Sequence, residues 1–404
     1  MKKLLMLGGS DIQVHAIQRA VDMGLRVITC DNRPDNPGHA FAHEYHEVST
    51  TDLDGVLALA RSLGIDGVLA YASDPAALTA AYVADRMGLP GDPLEAVRRA
   101  QDKLLLRATQ REAGLPVPDF VDASDTVALM ALRARHPDGV IVKPVDASGN
   151  RGVTLVPSRA SADDASEAVA DARAQSRSGR VIAESVWGPG LPEFGGDVLV
   201  LDGAVRYLGL GRKTFAMRPG DVPSLVGMGP PEVRESSRSA IRAQVQGLVH
   251  GLGLRAGVYN FDLRVDRTGT YSIIDFGTRV GGNLIAYRHR SVDGIDLVDA
   301  SIRIALGEGR MPTATATATG DVFMVVLRSR RDGRLLRVHL SDRLERMVIA
   351  SVMSVRPGDE VRPYRTSADR LGVLVLHSDS PDLLEEIAAE PERFYTVVLE
   401  GDTK

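Results

Sequence analysis

Chemistry-bearing residues concentrate in one stretch, GVYNFDLRVDRTGTYSIIDFGTRVGG, running from Gly257 to Gly282. The alternation of VYNFDLRVD and TYSIIDFG around Thr268-Gly269 predicts a β-hairpin with a two-residue turn. That turn sets Asp262 opposite Asp275, where side chains stand roughly 4.5–5.5 Å apart at Cβ and like charges repel. Phe261, Leu263 and Val265 take the other face, with Ile274 and Phe276 beside them. A hard divalent cation would relieve the repulsion, and Mg2+ suits one or two carboxylates completed by phosphate oxygens. Arg279 adds a planar fork for phosphate, and Gly281-Gly282 let a ligand approach the backbone. A solvent-facing hairpin of alternating charge would show the same pattern, so other residues must decide.

Several do bear on phosphate. Lys143 ends the apolar strand VIVKP and precedes the small-residue loop Ala147-Ser148-Gly149-Asn150-Arg151-Gly152. Free backbone N–H groups in such a loop hold phosphate oxygens, and the lysine supplies a point charge. An ordinary hairpin is the alternative there. Glu184 ends the strand RVIAESVW, and Glu193 precedes the next. Ser73 and Asp74 lie at the carboxyl end of GVLAYAS, where open α/β sheets bind ligands; a helix cap accounts for them equally well. Arg288, His289 and Arg290 could grip a substrate carboxylate or phosphate, or form a solvated charge cluster. Lys213 and Arg212 could line the same cavity from 211–232, a stretch without periodicity that reads as a long functional loop. Cys30 reads as a small core residue rather than a nucleophile.

The elements that must carry these residues follow from periodicity. KKLLML, a tight Gly8-Gly9-Ser10 turn, IQVHAIQRAVDMG and LRVITCD read strand, turn, helix, strand, the opening of a doubly wound α/β unit. Helix, strand and helix follow to about residue 90. DPLEAVRRAQDKLLLRATQREAG reads as a single charged amphipathic helix. SADDASEAVADARAQSRSG, SSRSAIRAQVQGLVHGLGL and DLVDASIRIALGEG read as further helices. TATATATG (313–320) is a linker or β edge before a small, mainly β tail with one helix, PDLLEEIAAE.

A chain of 404 residues is too long for one core and implies two or three domains. A net charge of −5 and 4% aromatics exclude a general attraction to nucleic acid or anionic membrane and a base-stacking surface. A single cysteine suits a reducing cytoplasm. No apolar run approaches the roughly 18 residues of a membrane span. The expectation is a cytoplasmic protein with no nucleic-acid or membrane partner.

Taken in order, these features resemble the ATP-grasp superfamily, in the branch of carbamoyl phosphate synthetase, biotin carboxylase and the purine-pathway carboxylases. The resemblance implies an α/β fold: an N-terminal α/β domain (1–95), an ATP-grasp domain (96–312, lid about 118–186) and a small β-rich C-terminal module (313–404). It implies ATP and Mg2+ as cofactors, with Mn2+ an alternative. Lys103 and Lys143 resemble the two nucleotide-phosphate lysines, and Ser148 to Gly152, with Gly149, the mobile phosphate turn. Glu184 with the backbone of Ser185, Val186 and Trp187 resembles the adenine-holding strand, and Glu193 the ribose glutamate of E-x-x-x-D-V-x-V. Asp262 and Asp275 match the two metal-binding acids, and Arg279 the arginine at the reacting phosphoryl group. Two departures stand out: both acids are Asp where Glu is usual, and acid-x-Asn-x-Arg reads Asp275-Phe-Gly277-Thr-Arg279. The implied activity is an ADP-forming carboxylate–amine ligase working through an acyl phosphate, on small-molecule carboxylate and amine substrates. A bicarbonate-activating carboxylase and an ATP-binding regulatory protein with degraded catalysis are the alternatives. Dimers are usual among the proteins it resembles, so a homodimer is expected.

Overall fold

Strands Lys3–Leu7, Arg26–Cys30, Glu44–His46 and Gly67–Leu69 form a four-stranded parallel sheet in the computed structural model, which describes residues 1–216 and 224–402. Lys3–Leu7 lies between Arg26–Cys30 and Gly67–Leu69, with Glu44–His46 outermost. Alternation along KLLML sorts the layers. Leu5 and Leu7 pack with helices Leu53–Leu63 and Asp74–Met87, whereas Leu4 and Met6 pack with helices Val14–Asp22 and Leu297–Ala305. Both faces are covered, as a parallel sheet requires. Cys30 is buried in the first layer, and burial with neighbouring Asp31 pushes its thiol up to about 12, which suits packing rather than reaction.

The single helix expected across 92–114 is two. Leu94–Gln101 stops at Asp102, which is extended (φ −93°, ψ 111°) and whose carboxylate accepts from the N–H groups of Leu104 and Leu105. Asp102 therefore caps a second helix, Lys103–Glu112, and sets Lys103 at its first position. Helical periodicity continues through the break, which is why the pattern alone concealed it.

A separate antiparallel sheet runs Phe120–Asp122, Val181–Ser185, Val140–Pro144, Thr154–Val156. Leu129 and Leu132 of helix Thr126–Arg135, and Ala165, Ala168 and Ala172 of helix Ala162–Gln175, pack on it. The small alanines explain how so polar a helix can cover a sheet closely.

The largest sheet holds the hairpin. Its order is Tyr271–Gly277, Gly257–Val265, Glu193–Leu201, Gly211–Ala216, Ser224–Gly229, Asp321–Leu327, Gly372–Ser378, Val348–Met353, with Ala204–Leu208 paired to Glu193–Leu201. One expectation changes here. The described parts of 211–232 include two paired strands rather than loop, while 217–223 lie outside the described residues. Their β pattern was masked by Gly227 and Gly229, where an added Cβ would meet the Phe323 ring at 2.6 and 2.7 Å. The C-terminal segment is β-rich, as expected, and is partly continuous with this sheet. Asp321–Leu327 joins the central sheet through Gly227↔Val325 and Met228↔Met324, and only Gly333–Leu340, Glu360–Val361 and Tyr395–Leu399 form a sheet apart. Among the described residues no helix is long and apolar enough to cross a membrane.

Candidate functional site

Asp262 does pair with Asp275 across the hairpin, though not through the expected turn. The connection runs from Asp266 to Thr270, where the Asp266 carboxylate accepts from the N–H groups of Thr268 and Thr270. A bulge after Asp262 absorbs the extra length, so Leu263 faces Ile273 rather than Ile274, and Ile273 enters the core. The strand on the other side brings Gly195 opposite Asp262 and Glu193 opposite Arg264.

The two aspartates differ in surroundings. Asp262 Oδ2 is 2.6 Å from Lys213 Nζ, which also lies 3.1 Å from Glu193 Oε1. Burial pushes Asp262 up to about 6 against the pull of Lys213, with Glu193 and Asp275 adding repulsion. Asp275, its side chain 47% exposed, has Lys103 Nζ at 3.4 Å. Burial opposes its ionisation, yet Lys103, Lys143, Arg107 and Arg279 hold it down to about 2.

Those cations form a wall. Lys143 Nζ is 2.8 Å from Glu184 Oε2, and Glu184 Oε1 is 3.0 Å from Arg107 Nε. Arg107 is wholly buried and also donates to Gln110 Oε1 and to the carbonyls of Ile273 and Ile274. It thereby ties the second helix to the hairpin strand carrying Asp275. Burial works against ionised Glu184, but Arg107 and Lys143 lower it. Burial lowers Lys143, with Glu184 opposing. Sequence reading missed Arg107; its signal was the four-residue spacing from Lys103, which puts both on one helix face. Lys103 Nζ donates to the Ala147 carbonyl at 3.0 Å and so reaches the glycine loop. Gly149 (φ +69°) and Gly152 (φ +67°) need glycine's freedom, and a Cβ at Gly149 would lie 2.6 Å from Ser367 Oγ.

Arg279 meets Asp74, at the start of helix Asp74–Met87, in a bidentate pair, Nε to Oδ1 at 2.8 Å and Nη2 to Oδ2 at 2.7 Å. Gly277 has a reason in this geometry: a Cβ there would lie 2.8 Å from Asp74 Oδ1 and 3.3 Å from the Arg279 guanidinium carbon. Asp74, Lys103, Ser148, Asp275, Gly277 and Arg279 line one cleft with Gln101 and Asn260.

Comparison with known proteins bears on the fold. Residues 325–398 match the family model described as L-amino acid ligase C-terminal domain 2. The chain is 27% identical over 345 residues to the uncharacterized protein y4rH of Sinorhizobium fredii, covering 82% of this chain and 69% of that one. It is 29% identical over 187 residues to a formate-dependent phosphoribosylglycinamide formyltransferase of Burkholderia thailandensis, so the match spans 45% of each. L-amino acid ligase from Bacillus licheniformis superposes with a TM-score of 0.81 at 21% identity, over 99% of both chains. This chain has the ATP-grasp fold. The biotin carboxylase domain of a Hydrogenobacter thermophilus 2-oxoglutarate carboxylase, a dimer solved with MgADP, ADP and bicarbonate, superposes at 0.78 and 15% identity over 98% of this chain and 90% of that one.

Against the ATP-grasp expectations, the remaining candidates sort by burial. Arg288 is 1% exposed and donates to the carbonyls of Leu210, Gly229 and Val322. It is a staple between strands, not a ligand grip; burial draws it down to about 10. His289 is fully buried against Tyr207, and burial lowers it well below the ordinary value. Both sit on helix Ile285–Asp293, which the charge cluster had disguised. Arg290 is at the surface, 3.4 Å from Asp296. Ser73 precedes the helix begun by Asp74 without a side-chain cap bond. Ser185 is fixed by Asp119, whose N–H donates to Ser185 Oγ at 3.1 Å, and Trp187 Nε1 donates to the Thr270 carbonyl at 3.3 Å.

Metal fit divides the same way. Among the described residues no group of three or more His, Cys, Asp or Glu is placed to hold an ion alone. An ion carried by phosphate oxygens fits at Asp275, which is ionised and open to the cleft. Asp262 already has an ammonium partner in Lys213.

Asp197, fully buried, yields a pH prediction. Oδ1 accepts from Gly281 N–H at 2.8 Å and Asn260 Nδ2 at 3.0 Å, while among the described residues Oδ2 has no partner. Burial raises it from 3.8 to about 6. The folded state thus holds this proton more tightly than the unfolded chain, and stability falls as pH rises through that window. The cost is complete above the folded value. Asp197→Asn is expected to remove that slope and to stabilise at pH 8 by about 1–3 kcal/mol, at 1.36 kcal/mol per pKa unit. Urea unfolding at pH 4.5 and pH 8 measures it; a variant less stable than the parent at both refutes it.

Proposed function

We propose that this protein is an ATP-dependent, ADP-forming ligase that activates the carboxylate of an amino acid as an acyl phosphate and joins it to an amine. The observation that carries this reading is the opposed Asp74–Arg279 pair at the end of a cleft lined by Lys103 and Asp275. A zwitterion would exchange with this mutual pair, its carboxylate passing to Arg279 and its ammonium to Asp74. The match to L-amino acid ligases supports the same substrate class.

In the reaction, the γ-phosphoryl group passes to a substrate carboxylate oxygen and ADP departs. The amine then attacks the acyl carbon, and phosphate leaves as the amide forms. Positioning and charge stabilisation supply most of the catalysis for such transfers. Lys103 and Lys143 hold the phosphates, with N–H groups of Ser148 to Gly152 over them. The backbone of Ser185, Val186 and Trp187 receives adenine, while the Glu184 carboxylate fixes Lys143 and Arg107 rather than touching the base. Glu193 is the ribose acceptor, within reach of Lys213 and Arg264. Arg279 stabilises the developing acyl phosphate. When bound at Asp275, Mg2+ would supply charge neutralisation for the phosphates.

Lys143→Ala is expected to lower kcat/KM for ATP by about 10²–10³-fold, because the cation and the partner of buried Glu184 vanish together. Steady-state kinetics at varied ATP checks it, and a change within about threefold counts against the assignment. The function itself is tested by ADP and phosphate release across pairs of L-amino acids, with amide products identified by mass spectrometry. ADP release with bicarbonate alone, or nucleotide binding with no release in any pair, would overturn it.

A further inference from the structure

We propose that Lys213 takes the place of a second magnesium ion, so that this chain handles its nucleotide with one ion, at Asp275. This rests on the Mg·ATP reading above and concerns how many ions that reading needs. The place beside Asp262 is already held: Lys213 Nζ lies 2.6 Å from Asp262 and 3.1 Å from Glu193, and its side chain is 8% exposed.

The route of the lysine is built into the sheet. Gly195 sits opposite both Asp262 and Gly211 on the strand between them. A Cβ at Gly195 would lie 2.6 Å from Asp262 Oδ1 and 2.9 Å from Lys213 Cε, so only glycine lets the lysine stem cross the strand to the carboxylate. Arg264 Nε, 3.2 Å away, occupies the other oxygen of Glu193. Two carboxylates and two cations leave the cluster neutral, without the excess negative charge that would draw a divalent ion.

The other side of such an ion is also closed. Gly277 offers no side-chain ligand, and the carboxylate of Asp74, committed to Arg279, fills the space where one would stand. Asp275 differs: it is about half exposed, and among the described residues its ion-pair partner, Lys103, stands 3.4 Å away. A compact ammonium with three donors fills the position beside Asp262 and serves both carboxylates at once.

The test counts Mn2+ by electron paramagnetic resonance in the full chain saturated with a non-hydrolysable ATP analogue, after analogue binding has been measured separately by calorimetry. One Mn2+ per bound nucleotide is expected in the parent and in Asp262→Asn, and two in Lys213→Met, where the carboxylates lose their ammonium. Two per nucleotide in the parent would overturn the single-ion proposal and leave the ATP reading standing. An analogue that does not bind would overturn both. Should Lys213→Met fail to fold, the parent and Asp262→Asn counts still decide.

Discussion

Asp275→Asn is expected to reduce turnover by at least about 10²–10³-fold while the fold and the affinity for nucleotide persist. The substitution keeps shape and removes one charge. That charge is held down to about 2 by Lys103, Lys143, Arg107 and Arg279; it pairs directly with Lys103, while Glu184 answers Lys143 and Arg107 and Asp74 answers Arg279. Without it the wall becomes more positive, and nucleotide phosphates should bind as well or better. What disappears is the carboxylate that seats the phosphate-borne cation. A fall in kcat with unchanged or lower KM for ATP is therefore the expected signature. Near-normal ADP formation by the variant would mean that Asp275 is only a counter-ion for the lysines.

Arg107→Ala should be the most damaging substitution for stability, at about 3–5 kcal/mol, the usual cost of breaking a buried ion pair from one side. Glu184 would lose one of its two cations and the Ile274 carbonyl its guanidinium donor, while the Ile273 carbonyl would keep only Gln110 Nε2 of its two side-chain donors. Adding Glu184→Gln should recover part of the loss, since the stranded charge is the main penalty. Chemical unfolding of the parent, both single variants and the double variant measures this coupling. Strict additivity, or a single-variant loss under about 1 kcal/mol, would show that the pair contributes nothing specific.

How much of this was legible in advance varies with the reach of each interaction. The hairpin and the pairing of its aspartates came from strand alternation, a local property. The predicted pair survived a wrong turn length because the bulge after Asp262 compensates for the longer connection. Ile273 and Ile274 exchanged places for the same reason. The break at Asp102 was readable in principle, since Asp caps helices, but a charged helical face hides such a residue.

Other features had no local signal. Arg288 and Arg279 are both arginines near a glycine pair, yet one staples three carbonyls in the core and the other pairs with Asp74 in the lining of the cleft. Gly277 looks in one dimension like a lost ligand; in three it is the room that the Asp74–Arg279 pair requires.

Residue order alone determined the α/β class, the acidic hairpin, and Lys143 with its glycine loop, because alternation, helical period and turn chemistry act over a few positions; Lys103 was marked only by the family resemblance. Only the tertiary structure decided which charge meets which: Lys213 with Asp262, Arg107 with Glu184, Asp74 with Arg279. Those partners come from separate elements, so their pairing depends on how the layers pack and which charges burial forces together.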